Sequence, residues 1–305
     1  MLKRFSWHQR IAHFVGSISG MILLLTGLPI MFPNQLRWFM DALGGSAVTM
    51  FLHRVFAIIL IFSFAYFGTY FILERIVKGR GDSNIKNFGF SASFISEVVA
   101  GAVRDILWTL GLRKERPKFG KYDWIMVGDI YLLPTLAFIE IITGTIMWFP
   151  RSFPFIVENP GLFFVIRAIH AGVAFFLILF VLAHAGILHL TPGNFPINMS
   201  IFSGLMSKKK ALHEHQNWVP LAEEVGVEEE EKRTHPICYL FGAITIVNIA
   251  LLAYIPFMMY TEGFAGLRIG VDPVASVGLG LAVITLIVYI IASVIALIKG
   301  VARRA

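Results

Sequence analysis

The sequence predicts an all-α membrane protein with six transmembrane helices. The chain is 57% hydrophobic and only 15% charged, whereas a soluble domain is roughly 25% charged. The mean hydropathy is +0.74. Six apolar segments each reach the roughly 20 residues that a helix needs to cross the hydrocarbon core. They are residues 11–32, 52–73, 125–148, 162–190, 237–260 and 273–298. The first segment is too long, and too polar at its start, for a cleaved signal peptide.

Lysine and arginine predict the orientation. Most of the 26 Lys and Arg residues lie in the N-terminus, the 74–124 and 191–236 loops and the C-terminal tail. The loops on the other side hold only Arg37, Arg151 and Arg268. The positive-inside rule therefore predicts a multi-pass protein of the inner (cytoplasmic) membrane with both termini in the cytoplasm. The net charge of +7 is explained by this topology, so nucleic-acid binding is not expected.

Helices 1 and 3 share a motif, T-G-x4-F-P, at an offset of 117 residues. It comprises Thr26-Gly27 with Phe32-Pro33, and Thr143-Gly144 with Phe149-Pro150. In each copy a histidine follows the proline by twenty residues, His53 in the first and His170 in the second. Proline cannot continue a helix, so both helices are predicted to end at the outer face. Helices 1–2 and 3–4 are thus predicted to be two hairpins of the same orientation, although a chance match is the alternative.

The two long connections on the predicted cytoplasmic side differ in character. Within the 74–124 loop, residues 92–112 predict an amphipathic helix on the inner membrane surface, or alternatively a short cap packed on the bundle. Residues 207–233 are polar, with Lys208–Lys210 and an acidic run, Glu228–Glu231. They predict a solvated connection that faces a partner. Helices 5 and 6 follow as an added hairpin with no histidine in either span.

Four histidines are predicted to lie at two matched depths. His13 and His184 lie near the inner ends of helices 1 and 4, and His53 and His170 lie just inside the outer face. The two on helix 4 are fourteen residues apart, so they share one face at a separation of ~21 Å, within a core of ~30 Å. Two axial histidines give a six-coordinate haem suited to electron transfer. The pattern predicts two stacked b haems, the inner held by His13 and His184 and the outer by His53 and His170. Interhelical hydrogen bonding is the alternative role of an intramembrane histidine.

The only cysteine, Cys238, restricts the other redox centres. A c-type haem needs C-x-x-C-H, and an iron–sulfur cluster needs several cysteines, so this chain alone supplies neither. Any iron–sulfur centre must therefore come from a partner.

Four further residues are candidates for haem binding. Arg54 and Arg167 lie beside the outer histidines and are expected to bind haem propionates, with snorkelling to the interface as the alternative. Gly16 and Gly20 follow His13 by about one and two turns. They allow either close approach of a porphyrin or close helix packing through G-x-x-x-G.

The remaining histidines are weaker candidates. His8, His189 and His235 are expected at the membrane interface. His213 and His215 form H-E-H, for which a solvated loop is favoured over metal binding.

The chain resembles the dihaem cytochrome b subunits of membrane-bound formate dehydrogenases, a family that includes those of thiosulfate reductases and nickel–iron hydrogenases. The resemblance covers roughly residues 4–220. It rests on R-x8-H (Arg4, His13), T-G-L-P-I-M-F-P, His53-Arg54, P-K-F-G-K-Y-D, the second T-G-x4-F-P, and H-x13-H on helix 4. The ligand positions of that family match His13, His53, His170 and His184.

The resemblance implies a respiratory electron-transfer subunit. An iron–sulfur partner delivers electrons to the outer haem, and they pass through the inner haem to a quinone, menaquinone or ubiquinone. The quinone pocket of the family corresponds here to Lys121, Tyr122 and Asp123. Asp123 stands where formate dehydrogenases carry an amide, and an ordinary helix N-cap is its alternative role. The primary catalytic site of the complex would lie on another subunit.

Two departures from that family leave the partner open. The chain has two additional helices and a longer 74–124 loop. We expect a four-helix haem-binding bundle with its cytoplasmic loop in residues 1–220, and an acidic connection with the added C-terminal two-helix hairpin in 221–305.

Two alternative functions remain at this point. One is a stand-alone electron carrier of the cytochrome b561 type. The other is a transporter or assembly anchor that uses histidines as proton relays. The carboxylates available for a relay are few: Glu140 and, nearer the inner end, Asp129, with no basic residue next to either in the sequence.

Overall fold

A computed structural model of the chain describes residues 1–74, 92–191, 194–195, 197–226, 236–262 and 273–302. Eleven α-helices occur in these ranges: α1 Trp7–Met31, α2 Arg37–Ala42, α3 Gly45–Ile72, α4 Ala92–Thr109, α5 Trp124–Trp148, α6 Pro154–Val157, α7 Pro160–Leu188, α8 Ser200–Ser203, α9 Lys208–Glu214, α10 Ile237–Glu262 and α11 Pro273–Ala302. Three two-residue strands accompany them: β1 Leu2–Lys3, β2 Leu205–Met206 and β3 Glu223–Glu224. The Glu228–Glu231 run and His235 lie outside the described residues.

The all-α membrane class is confirmed. Within the described ranges, six helices are long and apolar enough to cross a membrane: α1, α3, α5, α7, α10 and α11. α1 and α5 end at Met31 and Trp148, just before the two prolines of the repeated motif, as predicted. α1 and α3 begin earlier than predicted, at Trp7 and Gly45. Hydropathy detects the apolar run, whereas the polar capping box at Ser6 and the left-handed Gly44 determine where these helices begin.

The main apolar core lies on one side of the bundle formed by α1, α3, α5 and α7. Leucine and other apolar residues of α1 and α7 pack there against the added hairpin, α10–α11, with Leu182, Leu252 and Leu286 fully buried. α10 contacts α7, and α11 contacts α1. The centre of the α1, α3, α5 and α7 bundle is instead open, as described below. The added hairpin thus supplies packing that the four helices do not supply to one another.

The N-terminus and the segment that follows α8 form a small folded cap. The N-terminal strand β1 pairs antiparallel with both β2 and β3, and Leu2 lies opposite Met206 and Glu224. Leu2, Met206, Ala211 and Trp218 form a separate apolar cluster. The expectation of a solvated 207–233 connection is wrong for Ala211, His215 and Trp218, which are buried, but the other described residues of this segment are exposed or half-buried.

α4 combines the two roles considered for residues 92–112. One face packs against α5, through Phe94 on Tyr131 and through Trp124 Nε1, which donates to Asp105 at 3.0 Å. The opposite face exposes an apolar stripe, comprising Ile95, Val99, Val103, Ile106 and Leu110. The helix is therefore attached to the bundle and also presents an apolar surface at the level where α5 begins.

Candidate functional site

A cavity of about 1860 Å³ occupies the centre of the four-helix bundle. All four intramembrane histidines line it: His13 from α1, His53 from α3, and His170 and His184 from α7. A pocket for one drug-sized ligand measures roughly 300–1,000 Å³. The cavity therefore has room for two large planar ligands.

The two outer histidines face each other. The ring centroids of His53 and His170 are 6.5 Å apart. Thr26 Oγ1 lies 2.9 Å from His53 Nδ1, and Thr143 Oγ1 lies 2.9 Å from His170 Nδ1. The repeated T-G dipeptide therefore makes the same contact in both hairpins, which supports a true internal repeat.

The threonine hydroxyls fix the ring tautomer. Each hydroxyl donates its single proton to the carbonyl four residues earlier, Ile22 or Ile139, at 2.8 Å. It is therefore an acceptor toward the histidine, whose Nδ1 carries the proton. Nε2 is left with a free lone pair, the form that binds a metal.

The glycine of each T-G dipeptide makes room for the imidazole. A Cβ at Gly27 would lie 3.4 Å from His53 Cε1, and one at Gly144 would lie 3.3 Å from His170 Cε1. Any larger side chain would displace the ring. A Cβ at Gly20 would meet no protein atom within 4 Å, and one at Gly16 would lie 3.4 Å from Ser63 Oγ. Both glycines line the cavity; Gly20 borders open space, whereas Gly16 also contacts α3 through Ser63.

The two inner histidines, His13 and His184, line the same cavity. His184 Nδ1 lies 2.8 Å from Asp129 Oδ2. Its ring also contacts that of His189, at a centroid distance of 5.9 Å. His189 also lines the cavity, so this residue lies closer to the site than the interfacial position predicted from the sequence. His8 stays outside the cavity, where it stacks on Tyr70.

Two carboxylates of α5 were underestimated by sequence analysis. Asp129 contacts His184, and Glu140 Oε2 lies 2.7 Å from His170 Nδ1. No basic residue adjoins them in sequence, but folding brings α7 beside α5 and supplies the histidines. Their position within a transmembrane span was the available signal.

Two arginines line the outer part of the cavity. Arg54 and Arg167 are exposed residues, and both border it. The Arg54 guanidinium lies over the Trp148 ring, at 5.4 Å from its centroid. Both cations are placed to meet an anionic group at that end.

A buried polar cluster lies where the N-terminus meets the loop that enters α5. His215 is only 2% exposed, so its assignment to a solvated loop is wrong. Its Nδ1 lies 2.8 Å from the Gly120 carbonyl, to which it donates, and its Nε2 accepts from Arg4 Nη2 at 2.8 Å. Burial and the neighbouring Arg4 lower the pKa of His215 to about 3. This neutral histidine ties the N-terminus to the loop that enters α5.

That loop contains the three residues predicted to bind a quinone. Lys121 and Tyr122 line the cavity, and Lys121 is 5% exposed. Asp123 is not among the lining residues. Its Oδ1 accepts from the Met126 amide at 2.9 Å and caps α5. Burial raises the pKa of Asp123, against the opposing effects of the Met126 amide and Arg4. The N-cap role is thus confirmed for Asp123, and only its two neighbours face the cavity.

Transmembrane helices that enclose a histidine-lined cavity are the arrangement expected of a membrane cytochrome b. Comparison with known families identifies this chain more closely. The family described as prokaryotic cytochrome b561 matches residues 4–192, more than half of the chain, and the chain belongs to that family. No curated protein and no solved structure matches it.

Family membership establishes the general activity. The protein is a multi-pass membrane cytochrome b that binds b haem and takes part in electron transport. The match is consistent with the cytochrome b subunits of nickel–iron hydrogenase-like complexes and does not support the more specific assignment to formate dehydrogenase. It ends before α10, so the added hairpin lies outside the matched region.

Proposed function

We propose that this cytochrome binds two b haems and transfers electrons across the membrane between them. His53 and His170 are the axial ligands of the outer haem, and His13 and His184 are those of the inner haem. The observation that supports this most strongly is the outer pair, whose centroids are 6.5 Å apart. One iron between two Nε2 atoms, at metal–nitrogen distances of about 2 Å, requires a centroid separation of about 6 Å once the ring radii are added.

The residues around the ligands suit the chemistry of a porphyrin. Each outer histidine is held in the Nε2-binding tautomer by a threonine. Gly20 leaves open space in the cavity wall, where a flat ring can pack, while Gly16 serves helix packing. Arg54 and Arg167 bind the propionates of the outer haem by charge-assisted hydrogen bonds. When bound, each haem supplies a one-electron centre.

The inner end of the cavity is the place where a quinone exchanges electrons. Lys121 and Tyr122 line it beside the inner ligands, with an ammonium and a hydroxyl that donate to a quinone oxygen. The His215–Arg4 contact positions the loop that carries them. Menaquinone and ubiquinone both fit this description.

The protein works as one subunit of a respiratory complex in the cytoplasmic membrane. An iron–sulfur or cytochrome partner exchanges electrons at the outer haem, and primary substrate chemistry occurs on another subunit. Both termini and the β1–β3 cap face the cytoplasm, as the distribution of Lys and Arg indicates.

Haem analysis of ligand variants tests the proposal. The purified protein should give a reduced-minus-oxidised spectrum of b-type haem, with two haems per chain by pyridine haemochrome. His53→Ala or His170→Ala should remove one haem, and His13→Ala or His184→Ala the other. His8→Ala, which alters an exposed histidine outside the cavity, should keep both. If a variant retained two haems, the substituted histidine would not be a haem ligand.

The family match also favours a second form of the function, in which the protein acts as a stand-alone carrier. Purification under mild conditions distinguishes the two. A complex requires a co-purifying redox subunit, whereas a stand-alone carrier purifies alone and is reduced by a soluble donor. The transporter hypothesis is not retained, because the family is one of cytochromes.

A further inference from the structure

Two carboxylates at membrane depth face the two histidines of α7. Asp129 and Glu140 are eleven residues apart on α5, which is close to three full turns, so they share one face of the helix. Their oxygens lie 2.8 and 2.7 Å from Nδ1 of His184 and His170. The Asp129 and Glu140 side chains are 13% and 14% exposed. Each proposed haem thus has one ligand whose Nδ1–H donates to a carboxylate, and at His170 this proton is shared between Glu140 Oε2 and Thr143 Oγ1.

The internal repeat shows that these carboxylates are present in the second hairpin and absent from the equivalent positions of the first. At the repeat offset of 117 residues, Leu23 corresponds to Glu140 and Ala12 to Asp129. The threonine and glycine contacts to the outer histidines are otherwise the same in both hairpins. α5 therefore differs from α1 at the two positions that meet the histidines of α7.

Within the described part of the chain, the charge of these carboxylates has no lysine or arginine counter-ion. Among the described residues, the ion-pair geometry of each involves only a histidine ring. Oε1 of Glu140 is buried and makes no hydrogen bond in the described part of the chain. A carboxylate in a membrane span is costly unless it is compensated. An iron centre on the far side of the imidazole supplies positive charge, and it does so most strongly when it is oxidised.

We propose that Asp129 and Glu140 are positioning residues, one for each haem. They hold His184 and His170 in the iron-binding tautomer and stabilise the oxidised form of the adjacent haem. The inference rests on the proposed axial ligands. It assigns the α7 histidines as the stronger ligands, since an Nδ1–H that donates to a carboxylate makes Nε2 more basic. The negative charge beside each of these ligands also makes both reduction potentials lower than bis-histidine ligation alone would give.

Redox titration of isosteric variants tests this role. Glu140→Gln and Asp129→Asn keep a hydrogen-bond acceptor but remove the charge, so each should raise the potential of one haem. We expect at least a tenfold change in the reduction equilibrium, which is about 59 mV for a one-electron couple. The two variants should affect different haems. Glu158→Gln, which removes an exposed carboxylate outside the cavity, should shift neither.

The possible outcomes separate this inference from the proposed function. A wild-type protein without haem contradicts both. If the wild-type protein binds two haems but the carboxamide variants leave both potentials unchanged, only this inference is overturned. The same holds if both variants shift the potential of the same haem. If Glu140→Gln loses its haem, Glu140→Asp should restore haem at close to the wild-type potential. Failure of that rescue would overturn the positioning role.

Discussion

Acidification should open the β1–β3 cap, and His215 determines by how much. Its ring is 2% exposed, its Nε2 accepts from Arg4, and its Nδ1 donates to Gly120. The pKa of His215 falls from 6.5 to about 3 on folding. The unfolded segment therefore binds a proton at a higher pH than the folded one. The histidine's contribution to stability is fully present above pH 6.5 and is lost as the pH falls toward 3.

The size of the effect follows from proton linkage. Each pH unit between these two pKa values costs about 1.4 kcal/mol. Lowering the pH from about 7.5 to 5 should therefore cost about 2 kcal/mol, or about a 30-fold increase in the opening equilibrium. Hydrogen exchange of the β1 and β2 amides, corrected for the intrinsic pH dependence of exchange, reports that equilibrium.

Matched variants isolate the histidine from its neighbours. His215→Gln can accept from Arg4 and donate to Gly120 without titrating, so its opening equilibrium should lack the increase that His215 causes in wild type on acidification. His213→Gln alters an exposed histidine of the same segment and should behave as wild type. Asp123, whose raised pKa acts in the opposite direction, is present in all three proteins and cancels in the comparison. Equal pH dependence in wild type and His215→Gln would refute the argument.

Two further predictions concern the haem cavity. Thr26→Val removes the hydroxyl acceptor of the His53 Nδ1 proton and should weaken haem retention by about 1–2 kcal/mol. Thr143→Val should weaken haem retention less, because Glu140 still accepts from His170. The rate of haem transfer to excess apomyoglobin measures haem retention in both variants. Equal losses in the two variants would argue against the contact between Glu140 and His170. Gly20→Leu should empty one site by filling open cavity, while the thermal midpoint of the haem-free protein stays unchanged. A lowered midpoint in the haem-free protein would instead favour a helix-packing role for Gly20.

Much of the fold follows from local patterns. The six apolar segments and the two F-P boundaries depend on hydropathy and on the missing amide of proline, so they can be recognised without knowledge of tertiary contacts. The T-G-x4-F-P repeat also marked the outer histidines correctly as equivalent positions. The start of α3 at Gly45 was missed because caps lie outside the apolar run.

The features that were missed depend on long-range pairing. Asp129 and His184 are 55 residues apart in the chain, and helical periodicity alone does not say which face of α5 meets α7. His215 is buried because a two-residue N-terminal strand pairs with Met206 and Glu224, more than 200 residues away. Such contacts leave little local signal, and polar composition alone favoured a solvated loop.

The central claim is that four histidines hold two haems at two depths. Haem quantification in His170→Ala, with His53→Ala as its partner variant, tests it most directly. We expect one haem per chain in each variant, and the same haem should be lost in both, as judged by the potential of the haem that remains. Retention of two haems, or loss of different haems in the two variants, would contradict it.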